Sequence, residues 1–129
     1  MRQSAKILVD SSIWIDFFRL GNYERLETYI REDLVCTNEL ILTELLPPLE
    51  KLKQTDVINS LHAIPLVELD IDWSLIRKYQ ALNISNGVNK VGIPELIIVQ
   101  QVIENNLTLL SKDKHFGLMQ HYLSFDLIG

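Results

Sequence analysis

An α/β fold is predicted, in the form of a three-layer α/β/α sandwich around a central, mainly parallel sheet. Three observations predict it. Short apolar runs such as Ile7-Leu8-Val9 and Leu107-Thr108-Leu109-Leu110 are too short for helices and too apolar for surface loops, so they read as central strands covered on both faces. Between such runs, apolar residues recur at helical spacing. Helices that alternate with short buried strands build this architecture. No repeat, low-complexity segment or linker breaks the 129 residues, and residues 1–129 are read as a single domain.

Taken in order, Ile7 to Val9 form the opening strand and leave Asp10 at its carboxyl end. Ser11 or Ser12 caps a first helix with Ile13, Phe17 and Leu20 on one face, closed by Gly21-Asn22. A second helix spans Tyr23 to Asp33, with Leu26, Tyr29 and Ile30 sharing a face. Leu34-Val35-Cys36 is a short strand, and Thr37 or Asn38 caps a helix through Leu46. Pro47-Pro48 is expected to stop that helix, the second proline opening the next one through Val57, Ile58 and Leu61. Pro65 to Leu69 reads as a strand, and Asp70 or Asp72 caps a helix to about Ile84, closed by Ser85-Asn86-Gly87. Gly92-Ile93-Pro94-Glu95 starts a helix with an apolar interior, Leu96 to Val99, that ends at Asn105-Asn106. The buried strand 107–110 then delivers Ser111 and Asp113 at its carboxyl end. A short helix over Lys114 to Tyr122 and a final edge strand over Leu123 to Ile128 complete the chain.

Composition narrows the class. With 47% hydrophobic and 22% charged residues the chain can build a real core, and it is not a disordered sequence. Its formal charge of −5 rules out a global basic field for nucleic acid, so any such role needs a local basic rim or a metal. The single cysteine, Cys36, has no internal disulfide partner and reads as a small buried hydrophobe. Arg2 and Lys6 precede an apolar run of only three residues, too short for a signal peptide or a membrane span, and a cytosolic protein with no membrane segment is expected.

Two strands make the same gesture, an apolar run followed by a carboxylate. If they are parallel neighbours, Asp10 and Asp113 share one edge of the sheet, where open α/β sheets place their chemistry. Glu95 lies in the first turn of the helix that feeds the second strand. Glu44 follows Ile41-Leu42-Thr43 and precedes Leu45-Leu46, and an acid in so apolar a helix is aimed at something; Glu39 is its rival from the same helix. Four crowded carboxylates raise one another's pKa and call for compensation. Oxygen ligands without a matching His or Cys set point to Mg²⁺ or Mn²⁺ rather than zinc, and from there to phosphodiester chemistry.

Other acid-bearing motifs fail on single residues. A haloacid-dehalogenase-type phosphatase needs a second Asp where Ser12 stands, and an Asp-x-Ser-x-Ser adhesion motif needs a Ser where Trp14 stands. A receiver-like phosphoacceptor lacks the acid pair near its first strand. There is no Walker-type phosphate loop, and His62, His115 and His121 show no metal-ligand spacing.

Leu8-Val9-Asp10-Ser11-Ser12-Ile13-Trp14-Ile15-Asp16, Thr43-Glu44-Leu45-Leu46, Gly92-Ile93-Pro94-Glu95-Leu96-Ile97-Ile98 and Leu109-Leu110-Ser111-Lys112-Asp113-Lys114-His115-Phe116 together resemble the PIN domain, and within it the VapC-type toxins of toxin–antitoxin pairs. The resemblance spans nearly the whole chain, in order. It implies a metal-dependent endoribonuclease with Asp10, Glu44, Glu95 and Asp113 as its four acids and metal ligands, and Ser12 and Ser111 as site hydroxyls. It also implies Mg²⁺ or Mn²⁺, an RNA substrate, a homodimer, and an antitoxin whose C-terminal segment lies in a hydrophobic groove. Arg19, Lys112 and Lys114 lie in or near these blocks as candidate phosphate contacts. Two positions depart from the family pattern. Glu95 stands where Asp is usual, and His115 stands where a further Asp is common, which makes His115 another candidate phosphate contact. These departures also support an alternative, a PIN-like binding module with weak or absent turnover.

Overall fold

The computed structural model describes residues 6–129; the start of the amino-terminal segment, Arg2 included, lies outside them. The described residues form four strands and seven helices in the order β1 (Ile7–Val9), α1 (Ser11–Leu20), α2 (Glu24–Arg31), β2 (Val35–Cys36), α3 (Glu39–Lys51), α4 (Thr55–His62), α5 (Trp73–Ser85), α6 (Ile93–Glu104), β3 (Thr108–Leu110), α7 (Lys114–Met119) and β4 (Asp126–Ile128). The sheet order is β2-β1-β3-β4 and every pairing is parallel, so the expected mainly parallel sheet is parallel throughout.

Ile7, Leu8 and Val9 are all buried, and because successive side chains point to opposite faces, both faces of β1 are covered. β1 lies between β2 and β3, with Val9 opposite Leu110. The ladder runs one residue further, since Asp10 N donates to Leu110 O at 2.9 Å and Ser111 N to Ile128 O at 3.0 Å. This register sets Asp10 beside Ser111 at the carboxyl edge of the sheet. The core beneath that edge includes Leu8, Val9, Leu96, Leu109, Leu110 and Phe116.

Three sequence expectations are corrected. The cap of α1 is Asp10 rather than Ser11 or Ser12: its Oδ1 accepts from Ser11 N, and the backbone is still extended at Asp10. Helix α3 runs through Pro47 and Pro48 instead of stopping there. The carbonyls that lose their helical donors belong to Thr43 and Glu44, both exposed, where water can substitute for the missing N–H, while Leu42, Leu45 and Leu49 stay buried on the packed face. The break comes at Lys53, which adopts a left-handed φ of 56°, and Gln54 N closes the end on Leu49 O at 3.0 Å.

The third correction concerns Pro65 to Leu69. Only Leu66 makes a bridge, to Thr37, through Thr37 N to Pro65 O and Val67 N to Thr37 O. Beyond it, buried glutamines of α6 take the backbone groups that a strand would have paired. Gln101 Nε2 donates to Val67 O at 3.1 Å and Glu68 O at 3.3 Å. Gln100 Nε2 donates to Asp70 O at 2.8 Å, and its Oε1 accepts from Asp72 N at 3.1 Å. Gln101 Oε1 also accepts from Asn38, the side-chain cap of α3, so one polar network ties α3, α6 and this loop. Asp72 rather than Asp70 caps α5.

Candidate metal centre

Asp10 is almost fully buried and carries three donors of its own. Ser11 N reaches Oδ1 at 2.9 Å, while Ser12 Oγ and Ser111 Oγ reach Oδ2 at 3.0 and 2.8 Å. Charge-assisted hydrogen bonds and the amino end of α1 offset the burial of this carboxylate. Ser111 does more than hold Asp10. Its Oγ also accepts from Asp113 N at 3.0 Å, so one hydroxyl fixes both strand-end acids. Asp113 in turn caps α7, accepting from His115 N at 3.0 Å.

Glu95 enters from the first turn of α6, where Gly92 is the cap and Pro94 occupies a position whose N–H has no intrahelical partner. Its Oε2 lies 2.9 Å from His115 Nδ1, and the same nitrogen is 3.6 Å from Asp113 Oδ1. Burial holds the Glu95 carboxyl above its ordinary pKa, Asp113 pushes it further in that direction, and His115 opposes both. Glu44 projects from α3, is exposed and accepts a long hydrogen bond from Ser11 Oγ at 3.4 Å. Its pKa is likewise raised, first by desolvation and then by Asp10, with the Ser11 hydroxyl acting in the opposite sense.

Asp10, Glu44, Glu95 and Asp113 line one cleft of about 350 Å³, together with Ser11 and Ser12. Glu39, the rival to Glu44, is exposed at the start of α3 and is not among the lining residues. Of the candidate phosphate contacts, Lys112 pairs with Asp16, Lys114 is exposed at the start of α7, and Arg19 lines a different cleft with Phe17 and Phe18. Nδ1 of His115 is turned toward the acids. Sequence reasoning missed Ser11, which bonds both Asp10 and Glu44; its place as the first residue after a strand-end acid was the available signal. It also missed the Glu95–His115 contact, for which 20 intervening positions offered no local signal.

The donor set fits a small divalent cation. Donor atoms of Glu95, Asp113 and His115 lie within 4.8 Å of one another, and Asp10 and Glu44 line the same cleft outside that close group. Burial raises the Glu44 and Glu95 carboxyls first, and the neighbouring charges of Asp10 and Asp113 raise them further, a repulsion that a cation would relieve.

A parallel α/β sheet with acids gathered at its carboxyl edge defines an α/β protein with an acidic candidate metal centre. The PIN domain family model matches residues 7–121, and the chain belongs to the PIN domain family. No curated protein matches it in sequence. Among solved structures, it is similar to VapBC2 from Rickettsia felis bound to a promoter DNA fragment, at 16% identity and a TM-score of 0.75, covering 95% of this chain and 96% of that one. It is similar to DNA-bound VapBC from Salmonella typhimurium at 13% identity and a TM-score of 0.76, covering 97% and 98%. FitAcB from Neisseria gonorrhoeae matches at 16% identity and a TM-score of 0.69, over 95% and 96%. Identities this low establish the shared fold. Among the described residues no helix is long and apolar enough to cross a membrane.

Proposed function

We propose that this chain is a divalent-metal-dependent endoribonuclease and the toxin of a VapBC-type toxin–antitoxin pair. The observation that carries the reading is the convergence of Asp10, Glu44, Glu95 and Asp113 on one cleft at the carboxyl edge of the sheet. Membership in the PIN domain family and the likeness to VapBC and FitAcB structures support it.

In this reading Asp10, Glu44, Glu95 and Asp113 would hold Mg²⁺ or Mn²⁺, which when bound lowers the pKa of a water and offsets charge on the phosphodiester. The residues of the chain do the positioning. Ser12 and Ser111 fix the rotamer of Asp10, and Ser111 couples it to Asp113. Glu44, more exposed than Asp10 and lining the same cleft, would accept a proton or orient water. Lys112 and Lys114 are exposed beside this edge and can meet the RNA backbone.

The same reading includes an antitoxin partner, a homodimer and a cytoplasmic location. A second cleft of about 530 Å³, lined by Trp14, Phe17, Phe18, Val57, Leu61 and Ile64, is apolar enough to seat the apolar face of an antitoxin helix.

The test is RNA cleavage by the purified chain, free of any partner, with Mg²⁺, Mn²⁺ or EDTA. Cleavage that needs the cation and is lost in Asp10→Asn supports the reading, whereas activity that survives EDTA or the substitution refutes it. The Glu95–His115 contact favours a second reading, a PIN-like binding module without turnover, because a ring N–H there can satisfy the Glu95 carboxyl in place of a metal. Failure to bind Mn²⁺ at millimolar concentration supports that alternative.

A further inference from the structure

We propose that His115, through Nδ1, is a ligand of the cation that Glu95 and Asp113 bind, and that this nitrogen tilts the site away from Mg²⁺ toward first-row transition metals. The inference rests on the metal-dependent reading above and specifies which atoms hold the ion.

Geometry carries it. The three donors come from two rigid helix starts: Glu95 from the first turn of α6, and Asp113 and His115 from the cap and second residue of α7. His115 Nδ1 stands 2.9 Å from Glu95 Oε2 and 3.6 Å from Asp113 Oδ1. Adjacent ligands around an octahedral ion with bonds of about 2.1 Å are separated by about 3 Å, so the ring nitrogen stands near that spacing from both carboxylates, and all three donor atoms lie within 4.8 Å of one another. A bound cation would replace the Nδ1–H···Oε2 hydrogen bond: with its proton moved to Nε2, the neutral imidazole presents the Nδ1 lone pair to that position. The extra methylene of Glu95 matters here, because it lets the carboxylate reach the ring.

Charge and softness set the direction of selectivity. Mg²⁺ is a hard ion that takes oxygen ligands and parts with its waters reluctantly, whereas imidazole nitrogen favours transition metals. Glu95 and Asp113 supply two carboxylates, and the third donor of the group is a nitrogen rather than a further carboxylate. The attraction for Mg²⁺ is correspondingly weaker, while the nitrogen retains affinity for a transition metal. Mn²⁺, the weakest binder of that series, is therefore a stringent probe.

The experiment is electron spin-echo spectroscopy of Mn²⁺ bound to the full chain, with and without ¹⁵N-labelled histidine, alongside calorimetric titration of Mn²⁺ and Mg²⁺. A directly coordinated nitrogen is expected, changing with the histidine label and vanishing in His115→Gln. His62→Gln and His121→Gln should retain it. His115→Asp is expected to lower the ratio of Mn²⁺ to Mg²⁺ affinity by about tenfold or more, the scale on which even outer partners of a metal site act. Mn²⁺ bound with no nitrogen coupling in the wild-type chain would overturn the inference and leave the metal-dependent reading standing. No Mn²⁺ binding at millimolar concentration would overturn both.

Discussion

Ser111→Ala isolates the hydroxyl that joins the two strand-end acids. In the wild-type chain Ser111 is buried, its Oγ donating to Asp10 Oδ2 at 2.8 Å and accepting from Asp113 N at 3.0 Å. Removing a hydrogen bond to a charged group costs about 1.5–3 kcal/mol, and leaving the partly buried Asp113 N–H without its acceptor adds about 1 kcal/mol. Asp10 keeps Ser11 N and Ser12 Oγ, so the carboxylate is not stripped of all its donors and the larger penalty for an orphaned buried charge does not apply. The expected loss is about 2.5–4 kcal/mol, a large share of the ~5–15 kcal/mol that folded domains possess. For a chain of this size it corresponds to a fall in Tm of roughly 10 °C. Because Asp10 and Asp113 lose their common anchor, Mn²⁺ affinity is also expected to fall by ~10–100-fold. Urea denaturation of the metal-free protein at pH 7 gives the first quantity and calorimetric titration the second. A stability change under about 0.5 kcal/mol together with unaltered Mn²⁺ affinity would refute the argument that this hydroxyl couples the acids.

The Glu44 carboxyl has its pKa raised in the folded protein above the ordinary 4.5, so between those two values the folded state holds a proton that the unfolded state has lost. Stability from this group therefore falls as pH rises through that window, and metal-free Glu44→Gln should be more stable than wild type at pH 7 and less so relative to it near pH 4. Solvent screening of so exposed a side chain keeps the difference below about 1 kcal/mol, and urea midpoints measured from pH 4 to 8 will show its sign. Burial pushes the Cys36 thiol up to about 11, against the smaller lowering effect of Lys6. A disulfide exchange reagent at pH 8 should accordingly leave the native thiol unmodified over minutes and react at once in denaturant; rapid reaction of the native chain would contradict its burial. Pro47→Ala restores a donor for Thr43 O in α3, and after the unfolded-state entropy of proline is subtracted a gain of about 1 kcal/mol is expected in thermal denaturation.

The parts of the fold that were legible in the sequence are those set by neighbouring residues. Ile7 to Val9 announced a covered strand by length and apolarity, and the acid after it therefore fell at the sheet edge. Glu44 could be distinguished from Glu39 because its neighbours are apolar, and of the two only Glu44 lines the cleft. The proline pair misled because local backbone chemistry opposes a helix there, while packing of Leu45 and Leu49 on the opposite face maintains it. Pro65 to Leu69 has a strand's length and apolarity, yet its carbonyls are taken by Gln101, 34 positions away from Val67. A contact at that separation leaves no periodic trace in the chain.

The two positions that depart from the usual family pattern act as one feature in three dimensions. A carboxylate one methylene longer at 95 and an imidazole at 115 meet at 2.9 Å, so neither substitution can be weighed alone. Their meeting divides the cleft chemically. Asp10 is compensated by a backbone N–H and two hydroxyls, whereas Glu95 is compensated by a ring nitrogen. The crowding that remains falls on Glu44, which faces Asp10 with only a long bond from Ser11, and on Glu95, which still feels Asp113. Each strand-end acid thus has a protein partner before any cation arrives, which allows the site to be assembled by folding instead of by metal. In the metal-dependent reading a cation would relieve only what those partners leave uncompensated, and that residual lies where the two glutamates enter from α3 and α6.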